Sequence, residues 1–191
     1  MQLSVRLQGL ELAKARLATV NRNIDPVMRG ALNTTATATR RERFARPMGK
    51  AFPTRLANSK MRIKRARRGM MNARIIPSSS GIEVTRYRSW GFDRIDATRA
   101  RIWVIGPQGK KIAAGFVNPS SSGRRPLATR SQKRTGSRVY TYRRDVREAQ
   151  APSLAYWFAR MADRGTVRWT NAFLMREFER RIRAEMAKGA R

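Results

Sequence analysis

A chain of 191 residues with 41% apolar content can bury a core, and its length suits one domain, residues 1–191, with or without extended arms. Lys and Arg number 43 against 12 Asp and Glu, a formal charge of +31, so the chain repels itself unless counter-charge is supplied from outside. There is no Cys and no His, which excludes disulfides, thiolate metal sites, the commonest general base and the commonest metal ligand.

The suppliers of such counter-charge are nucleic acid, an acidic protein surface or an anionic membrane. Arg outnumbers Lys 35 to 8. That favours planar, bidentate contacts to phosphate or carboxylate, although a GC-rich genome produces the same bias. The N-terminal stretch lacks the apolar core of a signal peptide, and no apolar run approaches a membrane span. A protein made in the cytoplasm, soluble and without a membrane partner is the expectation.

Leu3, Val5 and Leu7 alternate and stop at Gly9, which predicts a short strand. From Leu10 the spacing lengthens through Lys14, Leu17 and Val20, predicting a helix that ends near Asn23. A second helix is predicted with Asp25 as its cap and Pro26 at its first position, stopped by Pro47. Its Val27, Ala31, Thr34 or Thr35, Ala38 and Ala45 make a thin face suited to close packing against the first helix.

Residues 54–69 hold the densest charge: Lys60, Arg62, Lys64, Arg65, Arg67 and Arg68. Leu56, Ser59, Ile63, Ala66 and Met70 recur every three or four residues, which predicts a docked basic helix, capped by Thr54 and ended by Gly69. Short β-type runs follow, "NARII", "GIEVTRY", "RARIWVIG" and "KKIAAGFV", parted by turn chemistry, so an antiparallel sheet is predicted. Residues 118–137 carry Ser, Pro, Gly and Arg, including Arg124 and Arg125, with few apolar anchors, and read as a long flexible basic loop. A strand resumes with Val139, Tyr140 and Tyr142.

The C-terminal part reads as two helices, one starting at Pro152 and Ser153 and stopped by Gly165. The second carries Leu174, Phe178, Ile182 and Met186 every fourth residue, a stripe for core or subunit packing, with Glu177 to Arg181 as a favourable pair. The fold class that results is α+β: N-terminal helices, a central antiparallel sheet, and C-terminal amphipathic helices.

Little of the chain suits catalysis. Asp93, Asp96 and Glu83 could in principle hold Mg²⁺, but salt bridging with neighbouring arginines is the better account. Neither "SSSG" segment has the context of a nucleophile elbow, and "GPQGKK" has the glycines of a phosphate loop without its spacing. No catalytic, metal or cofactor residue is assigned. Residues 26–76 hold fourteen Lys or Arg against one acid, Glu42, a surface that would release counterions on binding nucleic acid. No helix-turn-helix, zinc finger or single-strand stacking motif accompanies it, so any DNA contact would be to the backbone.

The order of features, a "GLE" opening at Gly9, Leu10 and Glu11, the basic stretch 56–74, "IAAGFV" at 112–117 and an Arg-rich helical end from Pro152, resembles the minor tail protein Z family of tailed bacteriophages, and more distantly siphophage neck and tail-completion proteins. Residues 124–144 depart most from the family's pattern. The resemblance implies a structural virion component, not an enzyme, acting at the head-proximal end of the tail in head–tail joining and DNA positioning. It further implies a homo-oligomeric ring among tail and neck proteins, facing the viral DNA backbone or an acidic ring. The rival readings from the residues are a sequence-independent nucleic-acid-binding protein and an assembly chaperone for an acidic client.

Overall fold

The computed structural model describes residues 11, 14, 15, 18, 23–97, 100–118, 122–131 and 142–189. The strand predicted at Leu3 to Leu7 lies outside these residues, as do Val139 and Tyr140. The fold is α+β, with every strand pair antiparallel. Where the chain length suggested one domain, its contacts gather into two compact units. Met1–Pro47, Asn58–Ser78 and Phe158–Arg191 form one, and Met48–Ala57 with Ser79–Trp157 the other.

In the first unit, helix α1 (Ile24–Thr39) opens earlier than predicted. Asn23, not Asp25, is the N-cap, and its side chain accepts a hydrogen bond from the Asp25 backbone N–H. Asp25 then falls in the first turn, where the helix dipole favours an acid. Nor does Pro47 stop the helix: the helical path continues through a π-helical stretch, Arg40–Ala45, to a last turn, Arg46–Met48. In a regular α-helix the Pro47 ring would press on the carbonyl of Arg43. Here the Arg46 N–H bonds the Arg41 carbonyl five residues back, which puts the ladder out of step where the ring must fit.

Helix α4 (Arg164–Gly189) lays the predicted stripe on α1. Leu174 and Phe178 are buried with Ile24, Val27 and Ala31, and Ile182 and Met186 pack beside them with Met28 and Leu32. The Ala and Thr face of α1 is thus covered by α4. The Thr39 and Thr170 hydroxyls lie 3.3 Å apart, and a Cβ on Gly30 would collide with the Arg181 guanidinium. Gly165 does not end a helix but sits in the first turn of α4. The break after α3 (Leu154–Met161) comes instead from Asp163, whose carboxylate accepts from the Thr166 N–H at 2.7 Å, while the Thr166 hydroxyl donates to the Met161 carbonyl.

The predicted single sheet is four small ones. In the first unit β1 (Met61–Lys64) pairs with β2 (Arg74–Pro77). In the second, β3 (Ile82–Glu83) pairs with β9 (Gln150–Ala151), and β4 (Trp90–Arg94), β5 (Ala100–Gly106) and β6 (Gly109–Ile112) form a meander. The last pair is β7 (Leu127–Ser131) with β8 (Tyr142–Glu148). This last pair corrects the loop predicted at 118–137: Leu127, Ala128 and Thr129 stand opposite Glu148, Arg147 and Val146. Residues 119–121 and 132–137 of that segment lie outside the described residues.

The second unit's core centres on Trp157, fully buried, whose indole N–H donates to the Tyr87 hydroxyl at 2.8 Å. Tyr87 in turn donates to the Pro152 carbonyl at 2.7 Å. Phe52 meets the Tyr87 ring edge-on, and Ile102 and Val104 of β5 face the same interior.

Phe178→Ala should cost about 3–5 kcal/mol in chemical denaturation, the range for a buried aromatic. Arg180→Ala should cost far less, because Arg180 is mostly exposed. A second expectation concerns alkali. Burial pushes the Tyr87 phenol up to about 12, partly offset by the hydrogen bond from Trp157. A proton held more tightly in the folded state stabilises the fold fully below about pH 10, and this contribution is lost as pH rises toward 12. Ultraviolet titration should show one tyrosine ionising late, together with loss of structure, and Tyr87→Phe should remove that step.

Candidate anion-binding interface

The segment predicted as a basic helix over residues 54–69 is helical only at Thr54–Ser59 (α2). From Met61 the chain is strand. Met61 is buried and Ile63 half-buried, whereas Arg62 and Lys64, which alternate with them, are exposed, a period of two that overrides the looser spacing of three and four. Met70, expected on the docked stripe, is 46% exposed. Register with β2 sets Arg62 opposite Ile76, Ile63 opposite Ile75, and Lys64 opposite Arg74. Beyond the strands the ribbon closes on Arg68 and Gly69, with Arg67 and Met70 exchanging backbone hydrogen bonds at 3.1 and 3.0 Å. Gly69, expected to end a helix, has φ +75° and makes this turn, a conformation glycine adopts without strain.

Helix α1 holds the ribbon. The Asn33 side-chain oxygen accepts from the Ala66 N–H at 2.8 Å, and its amide nitrogen donates to the Ala66 carbonyl at 3.2 Å, so one side chain pairs with a backbone as a neighbouring strand would. Arg40 donates to the Met61 carbonyl at 3.1 Å, and the Ser78 N–H closes the base on the Lys60 carbonyl. Asn33 was the one amide in an Ala- and Thr-rich helix, the only sequence signal it gave.

On this frame Arg62, Lys64, Arg65, Arg67 and Arg68 are exposed and Lys60 is half-buried. None of the six makes an ion pair among the described residues, and most of the unit's acids are engaged elsewhere. Glu42 lies 2.7 Å from Arg41 and 3.3 Å from Arg46. Glu177, nearly buried, takes Arg180 at 2.8 Å and Arg181 at 2.7 Å, the second being the predicted pair. Glu179 faces Arg183, Glu185 faces Lys188, and Glu11 faces Lys14. Hydrogen bonds from Arg41 and Arg46 hold the Glu42 carboxyl below its usual range, and those from Arg180 and Arg181 do the same for Glu177.

Arg124 and Arg125 belong to the other unit, not to this ribbon. Arg125 has a carboxylate of its own, Glu148 at 3.7 Å; Arg124 is exposed at φ +37°. The carboxylates weighed for Mg²⁺ do not converge. Glu83 pairs with Arg86, Asp93 accepts from the Trp103 indole and Lys110, and among the described residues no acid cluster could hold a metal. Nor is any described helix long and apolar enough to cross a membrane. Beside the ribbon, Arg65, Arg41 and Phe173 border an open groove that no sequence motif announces.

The arrangement is a rigid, uncompensated cationic edge able to bind phosphate or carboxylate. No family model, curated protein or solved structure matches the chain.

Asn33→Ala would leave the Ala66 N–H and carbonyl unpaired and should cost about 1–3 kcal/mol. Hydrogen exchange should quicken at Ala66 and along β1 before the α1–α4 core is affected, whereas Arg62→Gln should leave both unchanged.

Proposed function

We propose that this chain is a structural component of a tailed-bacteriophage virion, a minor tail or neck protein. It acts at the head-proximal end of the tail, in head–tail joining and DNA positioning. It is a subunit of a homo-oligomeric ring, made in the host cytoplasm and contacting other tail and neck proteins. The role is architectural, not catalytic. The observation that carries this reading is the ribbon: six cations held on a fixed frame, with no counter-charge among the described residues of their own chain. A surface of that kind stabilises the protein most when a polyanion or acidic ring covers it. The family resemblance supplies the setting in which such a partner is met.

A second reading, a sequence-independent nucleic-acid-binding protein, draws on the same exposed arginines. The two differ in what the isolated protein does. A general nucleic-acid binder takes up duplex DNA as a monomer with steep salt dependence. A ring subunit depends on its protein partners.

Complementation of a phage lacking the gene separates them. The quadruple variant Arg62, Lys64, Arg67 and Arg68→Gln should accumulate as folded protein, yet leave filled heads and tails unjoined and lower the yield of infectious particles. A normal yield from that variant would return these cations to plain solvated surface.

A further inference from the structure

Beside the ribbon, past the end of β1, an open groove of about 280 Å³ is lined by Thr34 and Thr37 of α1, Arg41 of the π-helical stretch, Arg65 and Phe173 of α4. We propose that this groove takes one nucleotide of a single-stranded nucleic acid, its phosphate on Arg41 and Arg65 and its base against Phe173. The inference does not depend on a virion role.

The donors have capacity to spare. Arg65 makes no ion pair among the described residues, and Arg41 engages Glu42 through Nε, leaving its terminal nitrogens for a ligand. The Thr34 hydroxyl oxygen accepts from Arg181 at 3.0 Å, so its own proton is available to a phosphate oxygen. Arg65 is next to Ala66, whose backbone Asn33 fixes, so this guanidinium stands on an anchored chain and not on a free arm. Phe173 stacks on Trp169 with ring centroids 5.2 Å apart and planes at 20°, which gives a backed aromatic wall. Two guanidinium groups and a hydroxyl beside an aromatic wall match a phosphate and an unstacked base taken together. Duplex bases are already stacked and cannot use Phe173, and a carboxylate brings no ring to it. Arg62, Lys64, Arg67 and Arg68 on the ribbon continue the track for flanking phosphates.

The test uses the full-length protein with fluorescein-labelled oligothymidylate, a duplex of equal length, and oligoglutamate as competitor, titrated over a range of salt. The wild type should prefer oligothymidylate to duplex. Phe173→Leu should weaken oligothymidylate binding roughly tenfold or more without changing its salt slope or the duplex affinity. Phe173→Tyr keeps the ring and should bind as the wild type, which tells lost stacking apart from poor folding. Arg65→Gln should lower the affinity and reduce the salt slope by about 0.7, the value for one phosphate of a single strand. No preference for the single strand, or an equal loss on duplex with Phe173→Leu, would overturn the proposal. So would displacement of oligothymidylate by oligoglutamate at comparable charge, which would give the groove to an acidic protein. Failure here leaves the particle assay untouched, and the reverse also holds.

Discussion

Negative charge is the scarce material in this chain, and where its few carboxylates go decides most of what is seen. Helix α4 contains Arg164, Arg168, Arg176, Arg180, Arg181 and Arg183 along 26 residues, a density that would repel itself. Glu177 and Glu179 stand three or four residues before Arg180, Arg181 and Arg183, and Glu185 three before Lys188, so the helix uses its acids on its own stability. Glu177 does more, because it is nearly buried. Its two guanidinium partners satisfy a charge that would otherwise be costly there, and Arg181 carries the network on to Thr34 of α1. Glu42 does the same across the π-helical stretch. None of these carboxylates reaches the ribbon.

Without ion pairs among the described residues, the ribbon is held by hydrogen bonds to its own neutral backbone. Asn33 pairs with the Ala66 backbone, and Arg40 meets a carbonyl, not a carboxylate. Such bonds depend little on salt, whereas the affinity of the exposed cations for a polyanion depends on it steeply. The position of the binding edge is therefore separated from the state of its charge. The same frame serves whether the cations are bare or neutralised, which suits a part that folds before it meets its partner.

The amphipathic end of the chain was legible from local spacing, whereas the ribbon and β7 were decided at long range. Leu174, Phe178, Ile182 and Met186 announce an amphipathic helix by spacing alone, and Glu177 with Arg181 follows from it. Over residues 60–70 the apolar positions satisfy two periods at once: Met61 and Ile63 alternate, while Ile63, Ala66 and Met70 suit a helix. The choice falls to partners outside the window, β2 on one side and Asn33 on the other. The strand Leu127–Ser131 was hidden for the same reason, since its mate begins at Tyr142. Pro47 and Gly165 misled differently. Each is a good stop signal whose effect was cancelled, one by a widened helix and the other by a stronger cap at Asp163.

The groove beside the ribbon follows from the same arithmetic of charge. Phe173 and Arg65 are more than a hundred residues apart, so no motif could join them; the packing of α4 on α1 and the Asn33 clamp do. Because Asn33 and Arg181 use their hydrogen bonds on structure, the groove keeps the Arg65 guanidinium, the terminal nitrogens of Arg41 and the Thr34 hydroxyl proton for a ligand. Glu42, the carboxylate on Arg41, is already shared between two arginines. An anion entering there would meet Arg65, which makes no ion pair among the described residues, and an Arg41 that holds Glu42 through Nε. The aromatic wall beside two guanidinium groups, more than the count of positive charges, sets this groove apart from the arginines of α4.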